Sequence, residues 1–376
     1  IDALAKESVC LTQHYSASPV CNPSRASLMT GRYPHRTGSV DTLEGRGLDR
    51  LALRETTIAD VFKGAGYSTG IFGKWHLGAF DKRYHPNSRG FDEFVGFRGG
   101  WSDYYKWRLE TTPTRRHADG RYLTDVIADE SIGFIERHHK EPFFLHVTFN
   151  APHTPLQAPE SDVKRFVEAG KVSHTVCVLY GMIAHLDSCL DRILSSIDKA
   201  GIADNTIVVF TSDNGPQLGS ELGSIKRFNC GFAGSKGLVY EGGIRVPAMV
   251  RWPDNLKAGE RSDSFMHMSD WFPTLCAMAG LNPVLKNRLD GINALPMLRG
   301  EKKAVNPRRF WQWNRYLPVK TTNAAMRDGD WKLVRPLIEE ANVVSMEDLE
   351  RDRMMRYEPD RITDIIPGPF PERQIP

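Results

Sequence analysis

Apolar residues recur along this chain with two periods that take turns. Ile1, Leu4 and Ala5 have helical spacing, and residues 9–15 read as a strand. Residues 56–66 place Ile58, Val61, Phe62 and Ala65 on one helix face and stop at Gly66, a residue suited to the left-handed turn that closes helices. A short buried strand is expected at 69–73, then a helix at 124–138 and a strand at 143–150. In the longest helical pattern, 173–200, Leu179, Ile183, Leu186, Leu190, Ile193 and Ile197 form one apolar stripe, and Gly201 ends it. Residues 206–211 form a β-branched strand, 246–252 another strand, and 268–279 another helix. Such alternation predicts an α/β fold, a mostly parallel central sheet with helices on both faces.

Two stretches depart from it. Residues 80–122 show little periodicity and many aromatics and arginines, which predicts a long loop or insertion. From about residue 305, Trp311, Trp313, Tyr316 and a hairpin-like run turning at Asp328-Gly329 predict a small antiparallel subdomain. The tail is charged, then Met-rich, then Pro-rich, with a short helix expected at 344–355. The expected organisation is a large α/β domain over 1–304, part of a small subdomain over 305–338, and an extended or partly ordered tail over 339–376.

Composition narrows the function classes. Lys plus Arg number 49 against 46 Asp plus Glu, so overall charge points to neither nucleic acid nor a membrane surface. No apolar run is long enough to span a bilayer. Cys10, Cys21, Cys177, Cys189, Cys230 and Cys276 lack Cys-x-x-Cys spacing, which excludes a zinc ribbon and a dense disulfide framework but leaves the redox compartment open. Residues 1–7 read as the interior of a domain rather than a signal peptide.

Chemistry-bearing residues gather where strands are expected to end, the edge at which open parallel sheets bind ligands. After strand 9–15 comes Cys21. Pro23 biases its neighbourhood toward a turn, and a helix beginning near Ser24 would aim unpaired N–H groups at the thiol, with Arg25 one turn along. Strand 69–73 delivers Lys74 and His76, strand 143–150 runs into Pro152-His153, and strand 206–211 stops at Asp213-Asn214, hard oxygen ligands for Ca²⁺ or Mg²⁺. Lys236 lies in a Gly-rich loop before Glu241-Gly242-Gly243. Taken singly, each has a plainer reading: a buried thiol by a proline turn, an Asp-Asn-Gly turn, a surface lysine, a hydrogen-bonded histidine.

Together they resemble a family. Cys21-Asn22-Pro23-Ser24-Arg25-Ala26-Ser27-Leu28-Met29-Thr30-Gly31 resembles the signature of type I sulfatases, and Gly73-Lys74-Trp75-His76-Leu77-Gly78, Pro152-His153, Ser212-Asp213-Asn214-Gly215 and Gly234-Ser235-Lys236-Gly237 resemble further segments in the family's order. The likeness continues through Met268-Ser269-Asp270-Trp271-Phe272-Pro273-Thr274-Leu275 and Leu289-Asp290-Gly291, and covers nearly everything up to about residue 335. It implies an alkaline-phosphatase-like sandwich and a sulfuric ester hydrolase. Cys21 would be oxidised to formylglycine by a formylglycine-generating enzyme, and Ca²⁺, with Mg²⁺ as the alternative, would sit on Asp213, Asn214 and the oxygen at position 21. The hydrate at position 21 would attack sulfur while Arg25, Lys74, His153 and Lys236 neutralise the sulfate oxygens. His153 or Lys236 would protonate the leaving alcohol, and His76 would take the second hydroxyl's proton. The implied substrate is a sulfated saccharide, with aryl sulfates as artificial ones, in a periplasmic, secreted or lysosome-like setting.

The family's usual hydrophobic strand ending in an Asp-Asp pair would lie ahead of residue 1, and no Asp-Asp dipeptide occurs in this sequence. Truncation at both ends is the expectation, leaving the metal site short of carboxylates. Trp101, Tyr104, Tyr105 and Trp107, interleaved with Arg98, Lys106, Arg108, Arg115 and Arg116, fit either a sugar-stacking surface or a locally packed lid. Two other functions stay open: a phosphate or phosphonate ester hydrolase of the same superfamily, and a non-catalytic binder of sulfated glycans.

Overall fold

The computed structural model describes residues 1–111, 114–217, 227–301, 307–357 and 361–362. Its strands, in chain order, are β1 (Val9–Tyr15), β2 (Ser68–Lys74), β3 (Glu93–Phe97), β4 (Arg108–Thr111), β5 (Arg115–His117), β6 (Phe143–Thr148), β7 (Val208–Thr211), β8 (Ala248–Arg251), β9 (Arg261–His267), β10 (Arg309–Gln312), β11 (Ala324–Asp328) and β12 (Trp331–Arg335). A five-stranded sheet has the order β5-β4-β3-β2-β6, parallel from β3 through β6 and antiparallel at β4 and β5. A four-stranded sheet has the order β7-β8-β1-β9, with β1 parallel to β9 and β8 antiparallel to β1 and β7. Strands β10, β11 and β12 form a small antiparallel sheet.

Alternation along β2 builds the layers. Ile71 and Phe72 are both fully buried, yet as neighbours on a strand they point to opposite faces. Ile71 packs with Ile58, Phe62, Met29 and Phe272, carried by helices Ile58–Gly64, Cys21–Thr30 and Trp271–Met278. Phe72 packs with Leu123, Val126, Ile127 and Phe134 of helix Leu123–His138. Both faces are therefore covered, as the alternating pattern predicts. In the second sheet Val9, Leu11, Val250 and Met266 pack with Trp271, while Tyr15 and Phe265 meet Trp311 of β10. The Trp311 indole donates to Ser16 O at 2.7 Å, and a buried Arg309–Asp270 ion pair seals the same junction.

Two expectations need correction. Residues 80–122 are not one long loop: β3, β4 and β5 lie there. Gly96 hid β3, because its backbone lies so close to β2 that a Cβ there would stand 1.9 Å from Gly73 O. The strands β4 and β5 are short, arginine-bearing and at the sheet edge, where apolar alternation is not required. Cys21 sits not in a turn but in the first turn of helix Cys21–Thr30, and Pro23 is tolerated because its missing N–H is one of those a helix start leaves unpaired anyway. Helix Glu160–Ala169 and strand β9 lay outside the expected elements. The expected boundary at 304/305 and the Pro-rich end from 363 lie outside the described residues. Among the described residues no helix is long and apolar enough to cross a membrane.

One histidine fastens three helices. His185 of helix His174–Lys199 places Nδ1 2.8 Å from Asp162 Oδ2 of Glu160–Ala169 and Nε2 3.0 Å from Asp125 Oδ2 of Leu123–His138. Burial alone would lower its proton affinity, but Asp125, Cys189 and Asp162 outweigh burial and raise the pKa from 6.5 to about 10. The imidazolium's contribution to stability is thus fully present below about 6.5 and is lost as pH rises through about 10. We expect thermal unfolding to fall progressively over that interval. His185→Gln should remove this dependence and cost about 1 kcal/mol near neutrality, given that solvent partly screens its two carboxylate partners.

Candidate active site

The strands β1, β2, β6 and β7 lead into the loops that form the site. Beyond β1, extended Val20 caps helix Cys21–Thr30, and the free thiol of Cys21 is 4% exposed among its first N–H groups. Asn22, fully buried, holds that start in place: its amide donates to Asp49 O at 2.8 Å and His76 O at 2.7 Å and accepts from Ser39 Oγ at 2.7 Å. Arg25 reaches across one turn further on. Its Nε donates to Trp75 O at 2.9 Å, a second nitrogen to Lys74 O, and a third lies 3.5 Å from Asp213 Oδ2.

Lys74 ends β2, and His76 follows in a left-handed conformation with φ 57°. Gly73, at φ 110°, lets β2 pass β6 so closely that a Cβ would lie 2.1 Å from Thr148 O. His153, past β6, has Nδ1 2.8 Å from Thr154 O and Nε2 3.1 Å from Lys236 Nζ. Those partners assign Nδ1–H donating to the carbonyl and Nε2 accepting from the ammonium. The Lys236 turn is tied down by Lys236 N–H to Pro216 O at 2.8 Å and Gly237 N–H to Pro19 O at 2.9 Å. From the far side, Asn323 donates to Gly237 O at 2.8 Å and accepts from Val239 N–H at 3.1 Å.

Charge in the pocket is lopsided. Burial lowers the proton affinity of Lys74 and Arg25, opposed by Asp213 and Cys21. Burial and the neighbouring cations hold His76 and His153 well below the ordinary imidazole value, so both are neutral at pH 7. Burial would raise Asp213, but Lys74, Arg25, Lys236 and His76 prevail and keep it below the usual carboxylate range. Arg25, Lys74 and Lys236 thus outnumber the carboxylates beside them, Asp213 and, behind His76, Glu44, an excess of positive charge suited to an oxyanion.

All five segments anticipated from the sequence converge here, and Asn214 enters as the chain neighbour of Asp213. As a metal site the pocket is partial. Asp213 gives a carboxylate, and Asn214 Oδ1 is a buried oxygen with no hydrogen-bond partner among the described residues, two hard donors of the kind Ca²⁺ or Mg²⁺ takes. They fit such an ion as two ligands of a larger set. Sequence reasoning gave no role to Asn22, in the first turn of helix Cys21–Thr30, or to Glu44 and Asp49, which sit in short turns that carry no periodic signal. Of the aromatics at 101–107, Tyr104 and Trp107 belong to the core beside Phe72, whereas Tyr105 is 39% exposed.

Fold and edge together define an α/β protein that collects cations around a buried helix-start thiol, the layout of a tetrahedral-oxyanion site. The chain belongs to the sulfatase family: the Sulfatase profile matches residues 1–281, and that of the N-sulphoglucosamine sulphohydrolase C-terminal region matches 232–360. N-acetylgalactosamine-6-sulfatase of Mus musculus is 34% identical over 333 residues, 80% of this chain and 61% of that protein. The uncharacterized sulfatase YdeN of Escherichia coli is 33% identical over 337 residues, 83% of this chain and 58% of that protein. The chain therefore spans about 60% of the length of these relatives. The crystal structure of Ps i-CgsB with k-i-k-neocarrahexaose superposes with a TM-score of 0.80 at 32% identity, covering 89% of this chain and 77% of that one. Phosphonate monoester hydrolase of Agrobacterium radiobacter, at 22% identity and TM-score 0.65 over 88% of this chain and 81% of that one, shares the fold. Sulfatases generally use a formylglycine and a divalent metal.

Arg25 carries a structural prediction. Arg25→Lys keeps the charge but cannot donate at once to Lys74 O, Trp75 O and Asp213, so a buried carbonyl loses its donor at a cost of about 1–3 kcal/mol. Urea denaturation should report a loss of that size, and Arg25→Ala a larger one.

Proposed function

We propose that this protein hydrolyses a sulfate ester on a sulfated saccharide, using a formylglycine made from Cys21 and a divalent cation, Ca²⁺ by preference. The observation that carries the reading is the convergence of Arg25, Lys74, His153 and Lys236 around the helix start that bears Cys21. Support also comes from relatives whose names specify N-acetylgalactosamine-6-sulfatase and from a neighbour crystallised with a neocarrahexaose.

The residues divide the work by position. Arg25 and Lys74 both lie near the thiol, and the proton affinity they lose to burial returns when an anion arrives beside them, so sulfate is bound where it neutralises both. Lys236 holds its ammonium proton against the Nε2 lone pair of the neutral His153, and that proton can pass to the departing alcohol oxygen from Lys236 directly or from Nε2 after transfer to the ring. Asp213 and Asn214 would hold the cation. Those groups would supply the chemistry: the hydrated aldehyde would offer one hydroxyl to attack and a second to be deprotonated, and the cation would favour ionisation of the first. His76, neutral and on the Lys74 side, is the base available for the second proton.

Mass spectrometry of the peptide containing Cys21, from protein co-expressed with a formylglycine-generating enzyme, should find the aldehyde or its hydrate. That protein should cleave sulfated saccharides and aryl sulfates at least 100-fold faster than the matching phosphate esters, and Cys21→Ala or Lys236→Ala should lower kcat/KM by about 100-fold or more. A preference for phosphate or phosphonate esters would favour the alternative hydrolase. Tight glycan binding with an unmodified thiol and no turnover would favour a binder.

A further inference from the structure

We propose that Glu44 is the positioning residue for His76: it fixes which ring nitrogen carries hydrogen and receives, through the ring, the proton that His76 removes. This rests on the hydrolase reading above for its purpose, though not for its geometry.

Glu44 opens the short turn Glu44–Arg46, far in sequence from β2, and its Oε1 lies 3.4 Å from His76 Nε2. Both side chains are largely buried, 15% and 2% exposed respectively. The Gly100 N–H donates to the same Oε1, and a Cβ on Gly100 would stand 2.9 Å from His76 Cε1 and 3.2 Å from that oxygen, so a bare backbone is pressed against both partners. His76 is fixed through its own backbone, its N–H on Arg98 O at 3.0 Å and its carbonyl under Asn22. Among the described residues neither ring nitrogen has an aligned hydrogen bond. A buried imidazole left so is costly, about 1–3 kcal/mol, unless its nitrogens serve a later partner.

The surroundings give the pair a direction. His76 faces Lys74, Arg25 and Lys236, offset by Asp213, so burial and these cations deny it a stable positive charge. Glu44 faces Asp49 and Asp352, opposed by the Gly100 N–H and Lys74, and burial with the two carboxylates raises its proton affinity well above the ordinary value. A proton therefore rests better on Glu44 than on the ring. With Glu44 ionised, its charge favours hydrogen on Nε2, the ring nitrogen 3.4 Å from Oε1, and Nδ1 is left with a lone pair. When that lone pair bonds an incoming proton, the Nε2–H bond breaks, its electrons stay on nitrogen, and Oε1 takes the hydrogen. The ring ends as the Nδ1–H tautomer and is neutral before and after. In the serine-protease triad the carboxylate behind the imidazole stays ionised; here its raised affinity makes it the terminus.

The pH sign follows. The competent form has Glu44 ionised, so activity should be present above Glu44's raised pKa and fall as pH drops through it, an acid limb above the ordinary carboxylate range.

The test has two independent arms. In unmodified protein, ¹⁵N NMR of the His76 ring should show Nε2–H at alkaline pH converting to Nδ1–H on acidification, without passing through imidazolium. Glu44→Gln should abolish that conversion, and Glu44→Asp should restore it in part. In the formylglycine enzyme, Glu44→Gln should lower kcat about 100-fold with KM little changed. It should also remove the acid limb and make alcohol release show a burst of one equivalent before slow turnover. A conversion unaltered by Glu44→Gln overturns the assignment, as does a variant with wild-type kcat and pH limb. If the wild-type enzyme turns over no sulfate ester, the hydrolase reading falls while the NMR arm still decides the role of Glu44. Should Glu44→Gln fail to fold, Glu44→Asp and the wild-type conversion carry the same decision.

Discussion

The guanidinium of Arg25 is the tie on which the site depends. It leaves the helix that follows β1, takes the carbonyls at the end of β2, and meets the carboxylate that follows β7. Those elements belong to two different sheets, so one side chain sets the distance between them. A buried cation is expensive unless its donors are used, and here each direction of the planar group has an acceptor. Asn22 acts beside it on neutral terms, bonding the turn at Asp49 and the carbonyl of His76. Position 21 is thereby held by its neighbours rather than by contacts of its own.

Around that tie the electrostatics are unfinished by design of the sequence. Lys74, Arg25 and Lys236 outnumber Asp213, both nearby imidazoles are kept neutral, and Asn214 leaves an oxygen unused. An anion beside these cations and a cation beside Asp213 and Asn214 would each lower the cost of binding the other.

Much of this was legible in the chain. Strand β1 was read to the residue, and the long helix to within a residue or so, because its apolar stripe runs for many turns. The candidate residues stand in strand-end motifs of the sequence, and the structure gathers those motifs at one edge. What escaped lacks a period. β3 is interrupted by a glycine required for close approach to β2, β4 and β5 are short edge strands, and β9 begins with the polar run Arg261-Ser262-Asp263 before turning apolar. Glu44 sits in a single turn and meets His76 only through tertiary folding, so no spacing rule could pair them.

The small antiparallel sheet bears on the site through Asn323. This residue is fully buried, adopts φ 43°, and grips both Gly237 and Val239 while also bonding Trp313 O at 2.7 Å. Lys236 is thus clasped from behind by a segment nearly ninety residues downstream. Local melting of that sheet would let the lysine drift without disturbing the thiol, the arginine or the parallel strands. Moderate heating should then loosen the Lys236 corner of the pocket before the parallel strands part, and cooling should re-form it.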